Sequence, residues 1–209
     1  MSMTPEDVTA LFSRADGQYR FARWGRPLAP VVFGAEEGTI GAVKGAFEAV
    51  VTLADHRMAE TDPELGANVM VFFCRDWLEL LEVPGLDRLV EGLGDLVARL
   101  DTAGANQYRV FRFEADGAIR AAVVMLRADE HLRAVPAQTL ALSQAVQTIL
   151  LWSDTAFMDR APLADAGGHT ILRPEIGDVI RAAYDPVMPA AATDPAHALR
   201  LAARLGAAQ

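Results

Sequence analysis

The run Gln107-Tyr108-Arg109-Val110-Phe111-Arg112-Phe113-Glu114-Ala115-Asp116-Gly117-Ala118-Ile119-Arg120-Ala121-Ala122-Val123-Val124-Met125-Leu126 decides the fold class. Gln107 to Glu114 alternates polar with apolar residues, the period of a strand with one wet face. Asp116-Gly117 is a tight-turn pair, because glycine accepts the positive φ such turns need. Ala118 to Leu126 is extended again, so residues 107–126 form an antiparallel hairpin. A hairpin set among helices predicts an α+β fold with a mixed or antiparallel sheet, rather than a regular doubly wound parallel one.

Downstream, Ala134 to Ser153 carries no charge over about the length of a membrane span. Gln138, Gln144, Gln147, Thr139, Thr148, Ser143 and Pro136 make it too polar for lipid, which predicts a helix over 136–151 enclosed by protein on most sides. Trp152 to Leu172, with Pro162 and Gly167-Gly168, reads as a long irregular loop. Helices follow over Pro174–Tyr184 and Pro195–Leu205, the second capped by Asp194.

Upstream, Leu86, Leu89, Val90, Leu93, Val97 and Leu100 recur at helical spacing and predict one helix, despite Gly92 and Gly94. Asn68 to Cys74 is a short apolar run of buried-strand length. Thr39 is the expected cap of a helix that buries Ile40, Val43, Phe47, Val50, Val51 and Ala54 and exposes Lys44 and Glu48. Tyr19–Trp24 and Pro30–Phe33 read as extended and as possible neighbours, separated by Gly25-Arg26-Pro27. Thr4-Pro5-Glu6-Asp7 opens a helix to Arg14. The expected unit is one α+β domain over 4–206.

Composition narrows the function classes. The chain of 209 residues is 52% hydrophobic and 22% charged, which is globular rather than disordered. Nineteen Lys and Arg against 28 Asp and Glu give a net charge of −9, which repels a polyanion, and Arg20, Arg23 and Arg26 make no phosphate track. Nucleic acid is therefore not an expected partner. A single cysteine, Cys74, excludes an internal disulfide. Met1 to Asp7 carries neither a basic stretch nor an apolar one, so the expectation is a soluble, cytoplasmic protein without a membrane span.

The order of several short motifs resembles domain-of-unknown-function family 2927. They run from Arg23-Trp24 and Pro30-Val31-Val32 through Asn68-Val69 and Asp116-Gly117-Ala118-Ile119 to Ser153-Asp154, Phe157 and Tyr184-Asp185-Pro186. That family consists of bacterial proteins, many of them lipoprotein-like, with a distantly zinc-peptidase-like architecture. The resemblance spans most of the chain and implies an enzyme-like scaffold. The chain departs from it in two ways: it opens without the export leader the resemblance implies, and its 136–151 helix holds neither His nor acid where an active helix would carry them.

The residues themselves give no catalytic constellation. A zinc hydrolase commonly sets two histidines one helical turn apart beside an acid, whereas His56, His131, His169 and His197 are scattered, so neither a metal nor another cofactor is expected. Cys74, beside Arg75, has two readings, as an activated thiol or as a small buried hydrophobe, and Asp76 opposes the first. No Gly-rich phosphate loop or nucleophile elbow occurs. The best candidate binding loop holds Trp152, Ser153, Asp154, Phe157, Asp159 and His169, with aromatics, acids and one imidazole on an irregular segment. Its bland reading is that Ser153 and Asp154 cap adjacent structure while Trp152 and Phe157 anchor the loop. The leading expectation is a noncatalytic binding or interaction domain on an enzyme-like scaffold, its partner a small molecule or a protein. The alternative is a divergent hydrolase-like enzyme using the 152–169 loop, with His169 as acid or base oriented by Asp154 or Asp159.

Overall fold

The computed structural model describes residues 3–207. In chain order the first half comprises α1 (Pro5–Ala10), β1 (Phe21–Ala22), β2 (Pro30–Phe33), α2 (Glu37–Leu53), β3 (Val69–Cys74), a 3-10 helix (Trp77–Glu82), α3 (Leu86–Leu89) and α4 (Leu93–Thr102). The second half comprises β4 (Gln107–Phe113), β5 (Ile119–Arg127), α5 (Glu130–Ala134), α6 (Ala137–Ile149), β6 (Leu163–Ala166), β7 (His169–Leu172), α7 (Pro174–Ala183), β8 (Ala191–Ala192) and α8 (Ala196–Ala207).

The central sheet is mixed and has the order β2-β3-β5-β4. β2, β3 and β5 run parallel, and β4 returns antiparallel to β5 as the edge strand. The fold is thus α+β, as the 107–126 hairpin implied. Because side chains alternate across a strand, each strand serves two cores. Val32, Val69, Val71, Ala122, Val124 and Leu126 face the layer that contains α2 and α6. Met70, Phe72, Cys74, Val123 and Met125 face the 3-10 helix, α3 and α4. Burial on both faces explains why β3 and residues 121–126 of β5 read as unbroken apolar runs.

α6 lies against α2 beneath the sheet, with Ala141, Ala145, Val146 and Ile149 buried. The enclosed helix expected over 136–151 is therefore present, buried along one face and half-buried over most of the rest, with Gln138 exposed. Among the described residues, no helix is long and apolar enough to cross a membrane.

Five local expectations need correction. The first helix stops at Ala10 rather than Arg14, because the backbone of Phe12 and Arg14 bonds instead to Arg20 and Gln18 across the Asp16-Gly17 turn. α2 begins at Glu37 with Glu36 as its cap residue, so Thr39 lies inside the helix. Tyr19–Trp24 and Pro30–Phe33 are not neighbours: β1 pairs with β8, whereas β2 pairs with β3. The 86–100 helix is broken in two at Gly92, whose φ of 67° lies in the left-handed region that a continuous helix excludes. The irregular 152–172 stretch contains the β6–β7 hairpin, turned by Gly167-Gly168.

Candidate functional site

A cleft of about 750 Å³ opens beside the edge strand β4, on the sheet face that carries α6. Four pieces of chain build it. Gln107, Arg109, Phe111 and Phe113 project from one side of β4 by strand alternation. Gln147 comes from α6, and the Arg14–Arg20 and Leu151–Phe157 segments close the remaining walls.

Those last two segments are held together by the residues expected at the site. Ser153 N–H donates to the Leu11 carbonyl at 2.7 Å, and its hydroxyl donates to the Ser13 carbonyl at 2.6 Å. Asp154 accepts from Ala15 N–H at 3.3 Å. Trp152 is buried, stacks on Phe12 at 5.4 Å, donates its indole N–H to the Val146 carbonyl and receives the edge of Phe157 at 5.1 Å. Trp152, Ser153, Asp154 and Phe157 thus meet at one wall of the cleft, and each also anchors the chain. Asp159 lines a neighbouring cleft of about 380 Å³, which shares Phe157 with the first. His169 is exposed on the β6–β7 hairpin and lines neither cleft.

The residue that sequence reasoning passed over is Arg109. It pairs with Val124 across the β4–β5 ladder, so its side chain starts on the main-core face. Its Nη2 donates to the carbonyl oxygens of Gln144 and, at 3.4 Å, Gln107, both of them neutral amides. Gln144, buried on α6, in turn donates to Gln107 at 3.2 Å. Arg109 Nε is shut off from solvent and has no partner, and among the described residues Arg109 forms no ion pair. Burial pushes its pKa down to about 10, the direction expected of a partly enclosed cation without a counter-ion. The available signal was an arginine on the same alternating face as Phe111 and Phe113, opposite a helix that supplies glutamines and no acid.

Arg14 and Arg20 add positive charge at the rim and make no ion pair among the described residues. The two acids of the cleft are already engaged, Asp154 as above and Asp16 by accepting from Gln18 N–H at 2.9 Å.

Metal chemistry has no comparable support. Among the described residues, no group of three or more His, Cys, Asp or Glu is placed to hold an ion. His197 is bonded through Nδ1 to the Tyr19 hydroxyl and His56 through Nε2 to the Arg26 carbonyl, while His131 and His169 lie exposed elsewhere. The donor set does not fit the zinc that a peptidase-like scaffold would imply. Cys74 is buried at the end of β3 with its thiol directed at the Leu126 carbonyl. Burial first, then Glu79 and Asp76, push its pKa up to about 11, the reverse of what a nucleophile needs.

No protein-family model matches the chain, and neither the curated proteins nor the solved structures contain a match to it.

Proposed function

We propose that this is a noncatalytic binding domain, on an enzyme-like scaffold, that holds a small molecule in the cleft between β4, α6 and the 151–157 segment. The observation that carries the reading is the Arg109 guanidinium, set in an aromatic-walled cleft with only neutral amides for partners. Small-molecule sites are typically clefts of about 300–1,000 Å³ with placed polar groups, and this cleft is of that size, with Phe111, Phe113, Trp152 and Phe157 set among three arginines, two aspartates and three glutamines. Ser153 has its hydroxyl 2.6 Å from the Ser13 carbonyl and 3.2 Å from the Asp154 carboxylate, and no histidine lines the cleft to serve it as a base. A hydrolase built on His169 has less behind it, since His169 and Asp154 do not line a common cleft. A cytoplasmic setting accompanies the proposal, on the strength of the lone buried thiol.

Chemical-shift mapping with a library of small aromatic acids, amides and alcohols tests it. The expected result is saturable shifts centred on the backbone amides of residues 107–113 and 151–157. Ligands that map consistently elsewhere, or metal-dependent turnover of a substrate by native protein, would overturn it.

A further inference from the structure

We propose that the cleft selects a singly charged arene carboxylate, its carboxylate meeting the Arg109 guanidinium and its ring lying on the aromatic wall; this rests on the binding-domain reading above.

Charge selects the head group. A buried cation is normally paired, yet Arg109 lies among glutamines and keeps an enclosed Nε without a partner. Three arginines against two aspartates leave the cleft one positive charge over, inside a chain whose net charge is −9. One excess positive charge matches a monoanion better than a dianionic phosphate. A planar guanidinium also presents donors in a geometry that matches a carboxylate.

Shape selects the rest of the ligand. Phe111, Phe113, Trp152 and Phe157 line the cleft with aromatic side chains. Phe113, on the same side of β4 as Arg109 and Phe111, remains 43% exposed and offers free ring surface for a flat apolar group to cover. Gln107 and Gln144 orient the guanidinium without neutralising it, so the ligand does not compete with a protein carboxylate for the charge.

The test compares 2-naphthoate with its neutral counterpart 2-naphthamide, with acetate, and with 2-naphthyl phosphate, by titration and amide shift mapping. The expected result is that 2-naphthoate saturates the 107–113 and 151–157 amides at least about tenfold more tightly than each of the other three, as a charge-assisted bond to a partly enclosed cation implies. Arg109→Gln should bring 2-naphthoate down to the affinity of the amide, with a melting temperature at or above the parent's, because an unpaired cation has been removed. Arg20→Gln, at an exposed position, should weaken 2-naphthoate by about fivefold or less and leave folding untouched. Equal affinity for acid and amide, or tighter binding of the phosphate, at the cleft would overturn the carboxylate inference while leaving the binding domain standing. Absence of cleft shifts with all four probes would overturn both.

Discussion

Asn68 offers the most direct test of how the sheet is held to the chain around it. Its side chain is fully buried and makes three bonds: Oδ1 accepts from Ala29 N–H at 2.7 Å, and Nδ2 donates to the Pro27 carbonyl at 2.8 Å and to Asp62 at 3.0 Å. These join the segment entering β2 to the start of β3. Asn68→Ala leaves the Ala29 N–H, itself buried, without an acceptor, at a cost of about 1–3 kcal/mol. Pro27 O and Asp62 each lose one bond, but Asp62 retains the N–H groups of Glu64 and Leu65 and the Arg26 guanidinium. The sum is about 2–4 kcal/mol, a large share of a typical stability of about 5–15 kcal/mol. Asn106→Ala is the control, since that half-buried amide makes one side-chain bond, to Asp129 at 3.1 Å, and its loss should cost about 1 kcal/mol or less. In urea, with a slope of about 1–3 kcal/mol per molar, Asn68→Ala should lower the midpoint by about 1 M or more. A shift no larger than that of Asn106→Ala would refute the reasoning.

Three further outcomes are expected. Val146→Asp, at a position 0% exposed in the main core, should cost more than about 3 kcal/mol through lost packing and a buried carboxyl, whereas Arg99→Asp at an exposed position of α4 should cost about 1 kcal/mol or less; urea midpoints of the two variants give the comparison. Gly34→Ala would set a Cβ 2.1 Å from the Phe73 carbonyl oxygen at a φ of 72° and should cost more than about 2 kcal/mol, while Gly92→Ala, at positive φ but in open space, should cost roughly 1–2 kcal/mol, measured by thermal melts. His197 is buried beside Phe21 and Tyr19; burial first, then Arg200, lowers its pKa from 6.5 to about 4. The unfolded chain therefore takes up a proton that the folded one refuses, so this stability is full above 6.5 and is lost as pH falls toward about 4; His197→Gln should flatten the unfolding midpoint across that window, with His56, also lowered by burial, leaving a residual slope.

Local chemistry made much of this fold readable. The 107–126 hairpin was visible because strand alternation and an Asp-Gly turn are encoded within neighbouring residues, and β3 because its apolar run is too short for most helices. The enclosure of α6 was visible because missing charge over 20 residues has few other physical explanations in a polar-dotted segment. The break before Gly92 was less legible: helical periodicity continues through it, although Val90 is extended and Gly92 takes a left-handed φ between α3 and α4.

Strand partners and the candidate site came from tertiary placement. Nothing within Tyr19–Trp24 specifies that β1 pairs with a strand near residue 192 rather than with β2, because backbone hydrogen bonds carry no sequence label. Trp152, Ser153, Asp154 and Phe157 could be singled out from composition, but their separation from His169 depends on the β6–β7 hairpin, and their junction with Arg14, Arg20 and Arg109 on the chain crossing near Ser13. The sequence by itself determined an acidic α+β chain with a charge-free inner helix, since composition and periodicity are sums over neighbours. Only the tertiary structure decided that Arg109 faces Gln144 instead of a carboxylate, because an ion pair or its absence depends on which residues, 35 apart in the chain, the folded core brings within bonding distance.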